Sequence, residues 1–191
     1  LELAPGELIG EKELMDKVGI GRTPVREAIQ RLSAEGLLQV LPRKGLMVTP
    51  LRRSDLGHII EARRVLERLM VVKAAERATD DQRRSLRDLS KQLLAADKDL
   101  EVFFRLDQQL NELLESACHN RFLVNALSVM QSQCRRLWYL HRKKLDLPWS
   151  AKLHGGLARA VAEADGAGAI RALDEIIAIL EGLVDGLDVL S

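Results

Sequence analysis

Two cysteines are all that the 191 residues contain. Cys118 and Cys134 show no paired spacing, so neither a disulfide framework nor a thiolate metal centre organises this chain. No apolar run is long and uncharged enough to span a bilayer, and no secretory leader is present, which together point to a cytoplasmic protein without a membrane partner. An excess of either charge is missing as well. With 29 Lys and Arg against 28 Asp and Glu, the formal net charge is +1, and no global field draws the molecule to nucleic acid. Repeats and low-complexity tracts are absent, as is any spacing of nucleophile and base or full set of metal ligands. An enzyme is therefore not the expected reading.

What the chain does have is enough apolar content, 47%, for a substantial core, and 30% charged residues to keep it globular in water. That suits a small domain followed by a larger one. The stretch from Ile9 to Val48 organises the rest. Glu11 to Val18 predicts a helix burying Leu14, Met15 and Val18, and Gly19-Ile20-Gly21 predicts a tight turn with Ile20 tucked between two helices. A second helix follows, with Thr23 as N-cap, Pro24 at its first position and Gly36 stopping it at C′. At 3.6 residues per turn Val25, Ala28, Ile29 and Leu32 make one apolar face, while Thr23, Arg26, Gln30 and Ser33 fall opposite. Leu38–Leu41 and Leu46–Val48 then flank a Pro42-Arg43-Lys44-Gly45 turn. This is the pattern of a winged helix-turn-helix. Charge is biased locally: from Arg22 to Lys44 five basic residues face two acidic ones, an arrangement suited to phosphate neutralisation and to bidentate contact with guanine.

The block GIGRTPVREAIQRLSAEGLL, with PRKG behind it, closely resembles the DNA-binding domain of the GntR family of bacterial transcription regulators. The resemblance implies that Lys12, Arg22, Thr23 and Arg26 contact DNA, with Gln30 on the same reading face. It also implies that the wing at Arg43, Lys44 and Gly45 enters the minor groove. A common family serine is Gly21 here, which puts one phosphate contact in doubt. A winged helix needs a further helix to close its core, so native residues are expected upstream of Leu1. The competing reading is a winged helix that binds protein, with Arg22 and Arg26 merely solvated.

Thr49-Pro50-Leu51 suits neither strand nor helix and predicts a boundary, dividing the chain into 1–50 and 51–191. Beyond it the pattern is helical throughout. Six helices are expected: Ser54 to about Ala78, Asp80 to Ala96, Leu100 to Ala117, Phe122 to Lys144, Ser150 to Ala164 and Ala167 to Leu187. Their short connections make a bundle. EARRVLE at Glu61–Glu67, LxxAxxN ending at Asn120 and His154 ahead of an A-x-x-x-A-D run resemble the FCD-type effector domain of the FadR branch of the same family. The fold class is thus mostly α, a winged helix with a small β wing followed by an all-α bundle.

Asp107 and Asn111 lie within the apolar arc of the third bundle helix, and both should point inward. A buried carboxylate requires a cation. Two candidates come from other helices: His154, central in the arc of Leu153, Leu157 and Val161, and Arg63, beside Ile59, Leu66 and Met70. The bland alternative pairs Arg63 with Glu67 and leaves His154 bonded to Asp107. The resemblance favours an effector pocket of Arg63, Asp107, Asn111 and His154 for a small carboxylate. It also implies a divalent-metal site, but only Asp107 and His154 match, because the positions of two further His are taken by Asn111 and Ile176. No cofactor is expected, and a metal on Asp107 and His154 alone is the weaker reading. The basic helix end at Trp138–Lys144, Cys118-His119 and His58 carry no site. The reading is a one-component regulator, a repressor that binds a palindromic double-stranded operator as a homodimer; the runner-up is a metal-dependent bundle enzyme or sensor.

Overall fold

The computed structural model describes residues 2–186. It divides into two compact units between Asp55 and Leu56. The first runs β1 (Leu8–Ile9), α1 (Glu11–Val18), α2 (Arg22–Ala34), β2 (Leu38–Leu41) and β3 (Gly45–Val48). Its antiparallel sheet has the order β1-β3-β2. Strand β1 is too short to show any alternation in sequence, and only the structure reveals it. Ile9 lies opposite Leu46 and Leu38 opposite Val48, so all four side chains share one face. That face packs on Val25 and Ile29 of α2, with Leu14, Met15 and Leu32 half-buried around it.

Helix α2 begins earlier than its composition suggests. The N-cap is Gly21, which offers no side-chain bond, so Thr23 is not the cap. Pro24 is the third helical residue. It is tolerated there because every N–H of the first turn lacks an intrahelical acceptor. At the other end Gly36, with φ 69°, takes the left-handed C′ position, and Leu37 N–H reaches Leu32 O at 2.8 Å. That is a Schellman closure.

Several faces differ from expectation. Val18 and Ile20 are 48% and 51% exposed, and no described element covers that side of α1. Ala28 is exposed, since the sheet reaches only the Val25–Ile29 stripe. Ser33 instead turns inward, its Oγ buried without a partner.

The second unit holds α3 (Arg53–Arg77), α4 (Asp80–Ala95), α5 (Leu100–Cys118), α6 (Arg121–His141), α7 (Leu147–Ala162) and α8 (Gly166–Asp185), with a 3-10 turn at Arg142–Lys144. The expected end of the last helix at Leu187 lies outside the described residues. Thr79, Asp99, Asn120, Asp146 and Asp165 cap α4 to α8 in turn, each side chain accepting a first-turn N–H; each cap contributes about 1 kcal/mol. Leu147-Pro148, which falls between two of the expected helices, is therefore the first turn of α7. Asp146 caps it and Pro148 needs no hydrogen bond there.

Helix α7 packs against both α4 and α8. Gly155 meets α4, and the small residues in helical register with it, Ala151, Ala158 and Ala162, are buried as well. A Cβ on Gly155 would stand 3.0 Å from Leu94 Cγ and 3.2 Å from Ser90 O, and Ser90 Oγ donates to Gly155 O at 2.8 Å.

Arg83 closes two helix ends together. Its guanidinium donates to the carbonyls of Ala75 and Ala78 at the end of α3 and of Val161 and Ala162 at the end of α7. Arg83→Ala should lower unfolding stability by about 2 to 3 kcal/mol, because charged hydrogen bonds to helix C-termini are lost as a set. Arg83→Lys should recover less than half of this, since an ammonium cannot fork. Urea titration with an unchanged slope is the check.

Candidate functional site

Lys12, Arg22, Thr23, Arg26, Gln30, Arg43 and Lys44 are all exposed, while Gly45 is half-buried. Gly45 also meets a requirement of the fold itself. Its φ is 97°, and a Cβ would fall 2.9 Å from Ile9 O; only glycine allows the wing to turn and still pair with β1. Arg43, with φ 63°, shares the turn and projects its charge at the tip beside Lys44.

Glu11, the first residue of α1, was not singled out by any sequence signal, yet it reaches both arginines of the reading helix. Arg26 Nε donates to Glu11 Oε1 at 2.7 Å and Arg22 Nε to the same oxygen at 3.4 Å. The hydrogen bond from Arg26, reinforced by its charge and by Arg22, holds the Glu11 carboxyl below the usual carboxylate range. Because Arg26 is held through Nε, both terminal nitrogens of its fork stay available for a bidentate contact. No helical or strand period links positions 11 and 26, so this pairing is visible only in three dimensions.

In the helical unit, α3, α5, α6, α7 and α8 enclose a cavity of about 60 Å³. Arg63, Asp107, Asn111 and His154 all line it, as does Ile176. Arg63 is not the partner of Asp107. Its Nε and Nη2 donate to Glu67 Oε1 at 3.1 and 2.8 Å, with Gln131 Nε2 reaching the same oxygen at 3.4 Å. Burial works most strongly against the Arg63 charge, but Glu67 and Cys134 together more than offset it and raise the guanidinium pKa. The neighbouring Cys134 thiol is pushed up by burial, with Arg63 pulling the other way. The i,i+4 spacing on α3 brings Arg63 and Glu67 together more cheaply than any contact from another helix could.

His154 is fixed on three sides. Nδ1 bonds Ser150 O at 2.8 Å, the Phe103 ring meets it edge-on at 5.1 Å and Trp138 at 6.3 Å. Nε2 lies 3.4 Å from Asp107 Oδ1. Asn111 Nδ2 donates to Asp107 O at 2.9 Å and approaches Oδ1 at 3.4 Å. Gln131 and Trp138 were missed as pocket residues. The spacing Leu127, Gln131, Cys134, Trp138 on α6 follows one helical face and could have found both.

Beside the Arg63–Glu67–Gln131 cluster, Cys134 and Arg135, the lining offers one carboxylate, one imidazole and one primary amide, those of Asp107, His154 and Asn111. Ile176 supplies an alkyl group where a further ligand would stand. Among the described residues no three of His, Cys, Asp and Glu converge. Such donors do not fit a divalent transition metal.

Among the described residues no helix is long and apolar enough to cross a membrane. Comparison with known proteins gives a consistent family. The model described as bacterial regulatory proteins, gntR family, matches residues 1–48, and the FCD domain model matches residues 58–178. The HTH-type transcriptional regulator YdhC of Bacillus subtilis is 35% identical over 127 residues, covering 64% of this chain and 56% of that protein; the chain thus spans little more than half of its length. The Nta operon transcriptional regulator of Aminobacter aminovorans is 31% identical over 154 residues, 78% of this chain and 72% of its own. The HTH-type transcriptional repressor RspR of Escherichia coli K12 is 26% identical over 176 residues, 91% and 77% respectively. Among solved structures E. coli McbR/YncC superposes with a TM-score of 0.84 at 22% identity, covering 96% of this chain and 89% of that one, which speaks to the fold. GntR regulators bind DNA, and FCD domains bind small-molecule effectors. The chain belongs to the GntR family, as a transcription regulator with a winged-helix domain in front of a helical FCD domain.

Proposed function

We propose that this regulator acts in the cytoplasm as a homodimer on a palindromic operator, and that a small carboxylate effector entering the FCD cavity changes its affinity for that operator. The observation that carries the reading is the juxtaposition in one chain of an exposed Arg22–Arg26 reading face, braced by Glu11, and a five-helix cavity with His154 in its wall. Each winged helix makes few base contacts, so a two-fold pair on two half-sites gains the second one intramolecularly. Repression is the favoured sense, in keeping with the RspR relative, a transcriptional repressor by name.

Selection from random-sequence duplexes followed by mobility shift tests this reading. Enrichment of an inverted repeat bound by two copies supports it, and failure to enrich any sequence overturns it. Light scattering on residues 54–191 should still report a dimer at micromolar concentration, and a monomer would move the interface to the winged helix.

The cavity works without a metal in this proposal. One carboxylate and one imidazole hold zinc or nickel too weakly to survive purification. Elemental analysis of dialysed, untagged protein should find no stoichiometric metal; finding it, and losing it on His154→Ala, would reverse the assignment.

A further inference from the structure

We infer that the polar corner of the cavity receives an ammonium group, so that the effector is an aminocarboxylate and not a simple carboxylate; this rests on the effector reading above. Ser150 O is a carbonyl and can only accept, so His154 Nδ1 must carry the hydrogen of their 2.8 Å bond. The ring's other polar atom, Nε2, faces Asp107 Oδ1 at 3.4 Å, and the residue is only 6% exposed. Among the described residues no Lys or Arg is bonded to the Asp107 carboxylate. Asn111 turns its amide nitrogen toward Asp107, and its carbonyl oxygen is a further acceptor beside it.

Among the described residues no cationic Lys or Arg closes this corner. Arg63 and Gln131, across the cavity, are both engaged by Glu67 Oε1. A carboxylate placed between Asp107 and Glu67 would meet like charge in a poorly solvated site. A ligand ammonium supplies three donors and a positive charge to the same place. The rings of Trp138 and Phe104 line the cavity as well, and aromatic faces attract a cation.

The carboxylate end has a separate acceptor of charge. Arg135 is exposed and lines both this cavity and the adjoining cleft bounded by Phe104 and Tyr139. It forms no hydrogen bond with the described residues, and its one charged neighbour of note is Glu115. The ligand thus enters amine first, with its carboxylate left at the mouth on Arg135, and the size of the cavity favours a short chain between the two.

The full-length protein, held in chelator near neutral pH, should be titrated with butyrate, butylamine, gamma-aminobutyrate, alpha-aminobutyrate and succinate, following heat release and melting temperature. At least one aminocarboxylate should bind about tenfold or more tightly than butyrate. Asp107→Asn, checked for folding by its own melting curve, should weaken that ligand by about 10- to 100-fold, the worth of one charged hydrogen bond, and leave butyrate unchanged. Arg135→Gln should weaken butyrate and the aminocarboxylate alike. Butyrate or succinate binding as tightly as both aminocarboxylates, or Asp107→Asn leaving the aminocarboxylate unaffected, would overturn the inference while sparing the carboxylate-effector reading. If none of the five binds, the small-carboxylate reading itself falls, and this inference with it.

Discussion

Glu67→Ala is expected to destabilise the helical unit by about 3 to 5 kcal/mol, the range for breaking a buried ion pair by removing one partner. The side chains of Arg63 and Glu67 are 11% and 3% exposed, so water does little to screen the charge left behind. Both guanidinium bonds go to one carboxylate oxygen, and among the described residues no other carboxylate is bonded to Arg63. Glu67→Gln should fall between the parent and Glu67→Ala, because it keeps an acceptor and loses the charge. The double variant Arg63→Met with Glu67→Leu should recover most of the loss, since an apolar pair of similar volume avoids the desolvation of both ions. Linear extrapolation from urea unfolding measures all three. A cost below about 1 kcal/mol for Glu67→Ala, the range of exposed pairs, would mean that cavity water solvates Arg63.

Arg26→Ala should abolish discrimination at the selected operator. A bidentate base contact is worth about 1 to 3 kcal/mol, and a two-fold dimer uses it twice, which amounts to a loss from about 30-fold to more than ten-thousand-fold. The melting curve should not move, because the Arg26 side chain is 54% exposed and lies outside the Val25–Ile29 core. Glu11→Gln should act in the opposite sense on non-specific DNA. It removes a negative charge near the phosphates while loosening Arg26, so the ratio of specific to non-specific affinity drops as non-specific binding rises. Lys44→Ala should weaken all sequences alike and reduce the salt slope by about one. Operator binding by Arg26→Ala equal to the parent's would relocate the reading face.

The winged helix was legible because each of its signals is local: a glycine stop at Gly36, a 3.6-residue apolar stripe through Val25 and Ile29, a turn at Pro42–Gly45. Its errors were local too. Thr23 looks like a cap in composition, but the chain enters the helix at Gly21, and a proline anywhere in the first turn leaves the start ambiguous by a residue or two. The bundle was legible through the short gaps between its expected helices, and the structure places a capping side chain in each, from Thr79, Asp99, Asn120, Asp146 and Asp165.

The cavity was only half legible. Projection of single helices placed Asp107, Asn111 and His154 inward, and their sharing of one space depends on how five helices pack. Arg63 exposes the limit of that method, because a helical wheel assigns a face and not a partner, and Glu67 on its own helix proved the nearer one. Glu11 escaped for the same reason, as its partners lie on the next helix.

The seam between α4 and α7 sets how motion can leave the cavity. His154 looks into the cavity while Gly155, the next residue, has Ser90 and Leu94 of α4 so close against it that a methyl group there would crowd both. Two helices meshed this closely have little compressible layer between them. Under the proposed function a pull on His154 would be carried by α7 and α4 together, clamped at their end by Arg83. The graded tug of a ligand would become a step, because a tightly seated pair of helices stays in register or shifts as a body.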